Sequence, residues 1–358
     1  MLYSSKILNE KPLRFSRDGT FKILHLTDIH NVIPEMDKEI MPIECSRDMT
    51  KETINVENEL IGRTNPDLIV FGGDNISGYR EEYTEEYMKK AIDEILEPVR
   101  KKGIPLAIVF GNHDSELVNI KPYLERKNQI KIYSGLYSNF VSTENDEKMS
   151  GCANNSFPIL ASGSDDIKFN VYCVDSNDYP RDKKTKKRIP HTGYDNVHED
   201  QIKWYEKRSD ELKNMNGGKV VPSILFQHIP VRQEYDLVEE SDENNFDMED
   251  GGKFFKIRKD LMEEGEMFEF PSPPEKESGQ FDSWVKKGDL KAAFFGHDHV
   301  NSFLYTKDGI KLYQTISAGY HSYGNDKHGG RLITINEDSS FTTETLTVKR
   351  ITEEKFPW

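Results

Sequence analysis

Short apolar runs alternate with longer amphipathic stretches through the first half of the chain. Residues 21–27, 67–71 and 104–110 have the length and apolar density of strands, and the segments 47–63 and 82–102 between them read as helices. Gly103 follows the second of these where a C-terminal glycine usually stands. Strands separated by helical segments of this length predict βαβ units and a sheet covered by helices.

After Ser115 the pattern changes. Residues 157–161 and 168–175 predict a hairpin pair joined by the turn Gly163-Ser164-Asp165-Asp166. A helix is expected over 199–213, ended by Gly217-Gly218, and a strand over 220–227. Five further strands, at 292–295, 302–306, 311–317, 331–336 and 341–348, make the C-terminal third strand-rich. Two mixed sheets packed face to face with helices outside accommodate this order, and no repeat of solenoid period interrupts it. Two segments stand apart. Residues 181–188 are basic and read as a solvated hairpin tip, whereas 234–277 are acidic, with Gly251-Gly252 and Pro271-Ser272-Pro273-Pro274. The acidic stretch has too few apolar residues for a core of its own. It is therefore expected to be an insertion, placed as a lid, in one domain covering 1–358.

Composition narrows the class. The 358 residues include 19 Phe and 16 Tyr, enough to bury a core, so disorder is excluded. A net charge of −15 disfavours nucleic acid as a partner, because such a surface repels its backbone. No run approaches the ~18 uncharged apolar residues of a membrane span, and the first ten residues hold no apolar segment of secretory length. Cys45, Cys152 and Cys173 are odd in number and widely spaced, which fits neither a disulfide framework nor a zinc pattern. A buried, inert thiol is expected at Cys173, and a reducing cytoplasmic setting for the chain.

The candidate chemistry lies where polar residues meet strand ends. Asp28 and His30 end the first strand, Gly73-Asp74 the second and Gly111-Asn112-His113-Asp114 the third. His228 follows the strand at 220–227, and Gly296-His297-Asp298-His299 the strand at 292–295. Singly these are turns or hydrogen-bonded core residues. Together they collect carboxylates, imidazoles and one amide at the strand ends where α/β sheets bind ligands. His297 and His299 lie two apart, so both can face one ion on extended chain. Nitrogen and oxygen donors without thiolate suit Mn, Fe, Zn, Co or Ni. The other five of the ten histidines, His25, His191, His198, His321 and His328, are expected to be structural or on the surface.

The ordered series Asp28-x-His30, Gly73-Asp74, Gly111-Asn112-His113-Asp114, His228 and Gly296-His297-Asp298-His299 resembles the calcineurin-like metallophosphoesterases. His299-Val300-Asn301 and Gly319-Tyr320-His321-Ser322-Tyr323-Gly324 are similar to the branch related to purple acid phosphatases. The resemblance implies a four-layer α/β/β/α sandwich and two divalent metal ions. It places Asp28, His30 and His299 on the first ion, Asn112, His228 and His297 on the second, and Asp74 on both. It sets His113 beside the substrate phosphate, with Asn112 and His321 as further substrate-binding residues, and implies Asp114 as the acceptor that orients the His113 ring. Purple acid phosphatases carry an iron-ligating Tyr three residues after the bridging Asp, and Gly where His30 stands. Here Ser77 occupies the first of these positions and Tyr79 is out of register, so the metal cage is carried over and the iron assignment is not. The expected reaction is hydrolysis of a phosphate ester by a water activated between two metals. A small phosphomonoester is favoured as substrate, with a phosphoprotein open. Diesterase or nuclease activity, suggested by the basic stretch, and a non-catalytic scaffold are the alternatives.

Overall fold

The computed structural model describes residues 2–37, 42–145, 148–182, 184–185, 187–189, 192–352 and 356. In chain order its first strands are β1 (Thr20–Leu26), β2 (Leu68–Gly72), β3 (Leu106–Val109), β4 (Asn155–Leu160), β5 (Ile167–Cys173) and β6 (Ser223–Phe226). Then come β7 (Val238–Ser241), β8 (Met248–Asp250), β9 (Lys253–Ile257) and β10 (Met262–Glu266), followed by β11 (Leu290–Phe295), β12 (Ser302–Lys307), β13 (Ile310–Gln314), β14 (His328–Asn336) and β15 (Phe341–Val348).

Two large mixed sheets carry the fold. One has the order β15-β14-β1-β2-β3 and the other β10-β12-β13-β11-β6-β5-β4. Strands β1, β2 and β3 run parallel, as do β5, β6, β11 and β13, so the seven-stranded sheet has a parallel centre with antiparallel edges and the five-stranded one a parallel half ending at β3 with antiparallel strands beyond β1. Period-2 alternation explains the layering. Phe21 and Ile23 of β1 face the second sheet, where Val171, Ile224, Phe226 and Phe294 meet them. Leu24 and Leu26 point the other way, into a cluster with Met49, Leu60, Ile92 and Ile95 from the helices Ile43–Thr64 and Glu85–Lys102. On the far side Tyr205, Leu212, Phe281 and Trp284 of the helices Glu199–Met215 and Gln280–Lys287 cover Leu225, Ala293 and Phe295. Helix, sheet, sheet, helix is the expected sandwich.

Local signals account for the helix ends. In Glu85–Lys102 the Thr84 side chain accepts from the Tyr87 N–H, and Glu85 and Glu86 sit in the first turn. Arg100, Lys101 and Lys102 sit in the last turn, and Gly103 closes the helix at φ 65°. Several strands are shorter than the apolar runs predicted. β13 ends at Gln314, because Ser317 N–H turns to His299 O and Ala318 N–H to Thr27 O. The helices Arg126–Leu136 and Gln280–Lys287 were not predicted.

The acidic segment holds a small sheet, β7-β9-β8, whose Phe255 packs on Phe270. Its β10 extends the seven-stranded sheet against β12. The basic stretch forms a tip closed by an Arg181–Arg188 bridge, with Lys183 and Lys186 outside the described residues. Cys173 is buried, with burial pushing its thiol up, as expected of an inert side chain. Among the described residues no helix is long and apolar enough to cross a membrane.

Candidate metal centre

The parallel strands deliver their polar ends to one place. Asp28, His30 and His299 offer ligand atoms within 4.8 Å of one another, and so do Asp74, His228 and His297; all six residues are buried. His30 Nε2 lies 3.3 Å from His299 Nε2, and Asp28 Oδ1 is 3.5 Å from His299 Nε2. Asp74 Oδ2 joins the two groups, standing 3.6 Å from His30 Nε2 and 3.1 Å from His228 Nε2. Its other oxygen accepts the His113 backbone N–H at 2.7 Å, which aims Oδ2 into the site.

The backbone is unusual where these side chains emerge. Asp28, His30, Asp74 and His297 have φ of 53°, 48°, 50° and 77°, the left-handed region that non-glycine residues seldom adopt. Such conformations persist where the surrounding structure over-determines them, and they concentrate at functional sites. The packing here is that close. A Cβ on Gly111 would lie 2.1 Å from Asp74 Oδ1, and one on Gly296 would lie 2.0 Å from Thr27 Oγ1 and 2.7 Å from Asp28 Oδ2.

The polar atoms inside this ring lack partners. Asp74 Oδ2, Asn112 Oδ1, His228 Nε2 and His297 Nε2 are buried without a hydrogen bond. Unpaired buried polar atoms are costly, and three of these belong to the group Asp74, His228 and His297, whose ligand atoms lie within 4.8 Å of one another, which calls for a ligand there. The opposite edges are used. His228 Nδ1 meets Gly72 O at 3.0 Å, His299 Nδ1 meets Tyr323 O at 2.8 Å, and Asn112 Nδ2 donates to Tyr179 Oη at 3.2 Å. Fixing the outer nitrogen turns the inner one into the cluster, where it could hold a metal ion. Burial drives His30 and His297 well below the ordinary imidazole value, leaving the neutral rings that bind metal. Burial works to raise Asp74, but His228, His113 and His30 outweigh it and hold this carboxyl well below the usual range. Two carboxylates, four imidazoles and an amide oxygen fit a pair of divalent cations.

His113 stands at the mouth, half-buried, its ring 5.5 Å from that of His30 and 4.8 Å from Tyr79. Its Nδ1 is held by Glu116 Oε2 at 2.6 Å. This corrects the role expected of Asp114. Asp114 Oδ1 accepts the N–H groups of Asn75 and Ile76, and Oδ2 that of Gly111, so its carboxylate braces the loops and is turned away from the His113 ring. Burial, with Asp74 adding to it, raises Asp114 to about 7. Burial acts against a charged His113, but Asp74 and Glu116 prevail and raise its value above the imidazole norm.

The His321 ring is fully buried and its Nε2 lies 2.8 Å from Thr50 Oγ1 in the helix Ile43–Thr64. The neighbouring Ser317–Gly319 stretch acts as a brace. Ser317 Oγ and Gly319 N–H both donate to Asp28 O, and a Cβ on Gly319 would lie 1.8 Å from Ile29 O. Ser77 points its hydroxyl at His30 O, 2.8 Å away. His25 is buried between the sheets, His198 caps a helix beside Asp195, and His328 stacks on Tyr320, all structural; His191 lies outside the described residues. Sequence reasoning missed Glu116, Tyr179, Tyr194 (4.4 Å edge-on to the His297 ring) and Tyr323 (stacked 4.1 Å from His299).

Two neighbouring residue groups that could each hold a metal ion, at the strand ends of a two-sheet sandwich, suggest a phosphoesterase-type metal site. The calcineurin-like phosphoesterase description matches residues 21–301, and the chain belongs to that family, a hydrolase class acting on phosphate esters. It is 28% identical over 327 residues to probable inactive purple acid phosphatase 29 of Arabidopsis thaliana, covering 88% of this chain and 76% of that protein. Phosphatase DCR2 of Saccharomyces cerevisiae is 30% identical over 227 residues, 61% of this chain and 36% of its own length. The crystal structure of a dimetal phosphatase from Danio rerio shares the fold, with TM-score 0.50, 12% identity, and coverage of 91% of this chain and 98% of that one.

Proposed function

We propose that the protein hydrolyses phosphate monoesters of small molecules, using two divalent cations held by Asp28, His30 and His299 on one side and Asn112, His228 and His297 on the other, with Asp74 shared. The observation that carries this is the Asp74 Oδ2 atom, buried, without a hydrogen bond, and set between the two histidine groups. When bound, the cations supply Lewis acidity toward the phosphate and a water of lowered pKa. The chain does the rest. Asp28 and Asp74 balance part of the cationic charge and leave a surplus for an anionic substrate. Glu116 holds the His113 Nδ1, and the opposite ring nitrogen has no partner among the described residues, so it is available to donate to a phosphoryl or leaving oxygen. Mn, Fe, Zn, Co and Ni all suit the donor set, and Ser77 supplies no phenolate. The acidic surface supports a small phosphorylated substrate or a phosphoprotein over nucleic acid.

The word "inactive" in a relative's name favours one competing reading, a fold that holds metal without turnover. The complete donor set and the Glu116-held His113 speak against it here. Purified protein stripped with a chelator and reloaded with Mn²⁺ should lose and regain hydrolysis of 4-nitrophenyl phosphate. Bis(4-nitrophenyl) phosphate should turn over more slowly. A faster diester reaction would reassign the substrate class, and bound metal with no turnover on esters or phosphopeptides would favour the scaffold.

A further inference from the structure

The basic hairpin reaches the catalytic His113 through one residue. Arg188 Nη1 donates to Glu116 Oε1 at 3.0 Å, while the other oxygen of the same carboxylate holds His113. The guanidinium also lies flat on Tyr179, 3.4 Å from the ring centroid, and Tyr179 Oη accepts from Asn112 Nδ2. Two separate chains of contact, Asn112–Tyr179–Arg188 and His113–Glu116–Arg188, close on this one side chain. Tyr194 stacks against Tyr179 at 5.5 Å, so the platform under Arg188 is itself packed.

Arg188 differs from its hairpin partner. Arg181 meets both oxygens of Asp178, with Nε at 3.2 Å and Nη2 at 2.6 Å, which is the fork of an arginine already committed to a carboxylate. Arg188 uses one of its five N–H donors among the described residues, and its side chain is 43% exposed. Stacking fixes the guanidinium plane without consuming donors, so the remaining edge is preset for a planar or tetrahedral anion. It stands one residue removed from His113, through Glu116, and His113 is the group read above as the donor to a leaving oxygen.

We propose that Arg188, seated on Tyr179, forms a subsite for a second anionic group, a carboxylate or phosphate, on the leaving portion of the substrate. This rests on the phosphoesterase reading and narrows it to monoesters whose alcohol portion is itself anionic. Arg188 is then a specificity residue, and the basic hairpin is the element that presents it.

Binding tests this apart from turnover. Calorimetry of the Mn²⁺-loaded protein would compare benzylphosphonate with 4-carboxybenzylphosphonate, neither of which is hydrolysed. The carboxylated compound should bind at least tenfold more tightly, as one charge-assisted contact gives. That ratio should collapse toward one in Arg188→Ala and recover in part in Arg188→Lys. Unchanged metal content and thermal midpoint would show that the variants fold. A ratio near one in the unmodified protein, or one that survives Arg188→Ala, overturns the subsite. Turnover of 4-nitrophenyl phosphate by the unmodified Mn²⁺-loaded protein reports on the phosphoesterase reading alone, so the two failures are separable.

Discussion

Glu116 and Asp114 lie two residues apart and do different work. Glu116 touches the His113 ring, whereas Asp114 receives three buried backbone N–H groups. His113→Ala should keep both metals and lower kcat by the 10²–10⁴ typical of a positioned acid or base; unchanged turnover with metals retained would remove His113 from the mechanism. Glu116→Gln should lower kcat about tenfold or more, roughly 1.4 kcal/mol of barrier, with stability little changed. Asp114→Ala should act on the fold, costing about 1–3 kcal/mol for each N–H left unsatisfied, measured by urea denaturation. Similar kinetic and stability effects from the two variants would refute this division. The four-residue motif 111–114 was legible because an amide and an imidazole directly after an apolar strand have no packing purpose. Glu116 was not, since nothing in the sequence says that the chain turns after Asp114 so as to bring the third residue, and not the next, against the ring.

At the level of elements, the site is a set of turns that leave parallel strands abruptly. Four metal-facing residues adopt left-handed backbone, and glycines stand where any side chain would strike a donor. Gly111→Ala places a methyl group 2.1 Å from Asp74 Oδ1. It should cost about 1–3 kcal/mol of stability by overpacking and weaken both ions together, because Asp74 is shared. Metal titration that shows loss of one ion alone would contradict the bridging geometry. The strands themselves followed from short apolar runs, whose alternate residues pack on opposite faces of the sheets. Their ends did not, since the last residue of a run such as 311–317, Ser317, belongs to the brace beneath Asp28. The Gly319–His321 stretch was recognisable as a motif, yet its task is backbone support, which only the close approach of Gly319 to Ile29 shows.

Across the whole molecule, the acidic segment is tied into the sandwich. Its Glu234 is fully buried and receives Gln314 Nε2 of β13 at 3.1 Å. Burial pushes this carboxyl from 4.5 up to about 8, with the Gln314 contact opposing. Below about pH 4.5 the group is neutral folded and unfolded. Between there and about pH 8 the unfolded chain releases a proton that the folded chain keeps, so stability declines with rising pH by up to about 1.4 kcal/mol per pH unit. Glu234→Gln should therefore gain on the unmodified protein between pH 5 and pH 8 in denaturation midpoints, and an equal difference at both pH values would refute that. The far end of the segment is also anchored, with Glu269 Oε1 accepting the Val300 N–H and Oε2 the Tyr323 hydroxyl. The sequence showed this region as acidic and poor in apolar residues. It hid the fact that β10 joins a sheet edge, because strand pairing across about forty residues leaves no local pattern.

The central claim is that side chains from five strand ends enclose two cations bridged by Asp74. Crystals soaked in Mn²⁺ and measured at the manganese absorption edge test it most directly. The account predicts two anomalous peaks, one among Asp28, His30 and His299 and one among Asn112, His228 and His297, with Asp74 touching both. A single peak, or none within reach of Asp74, would contradict it.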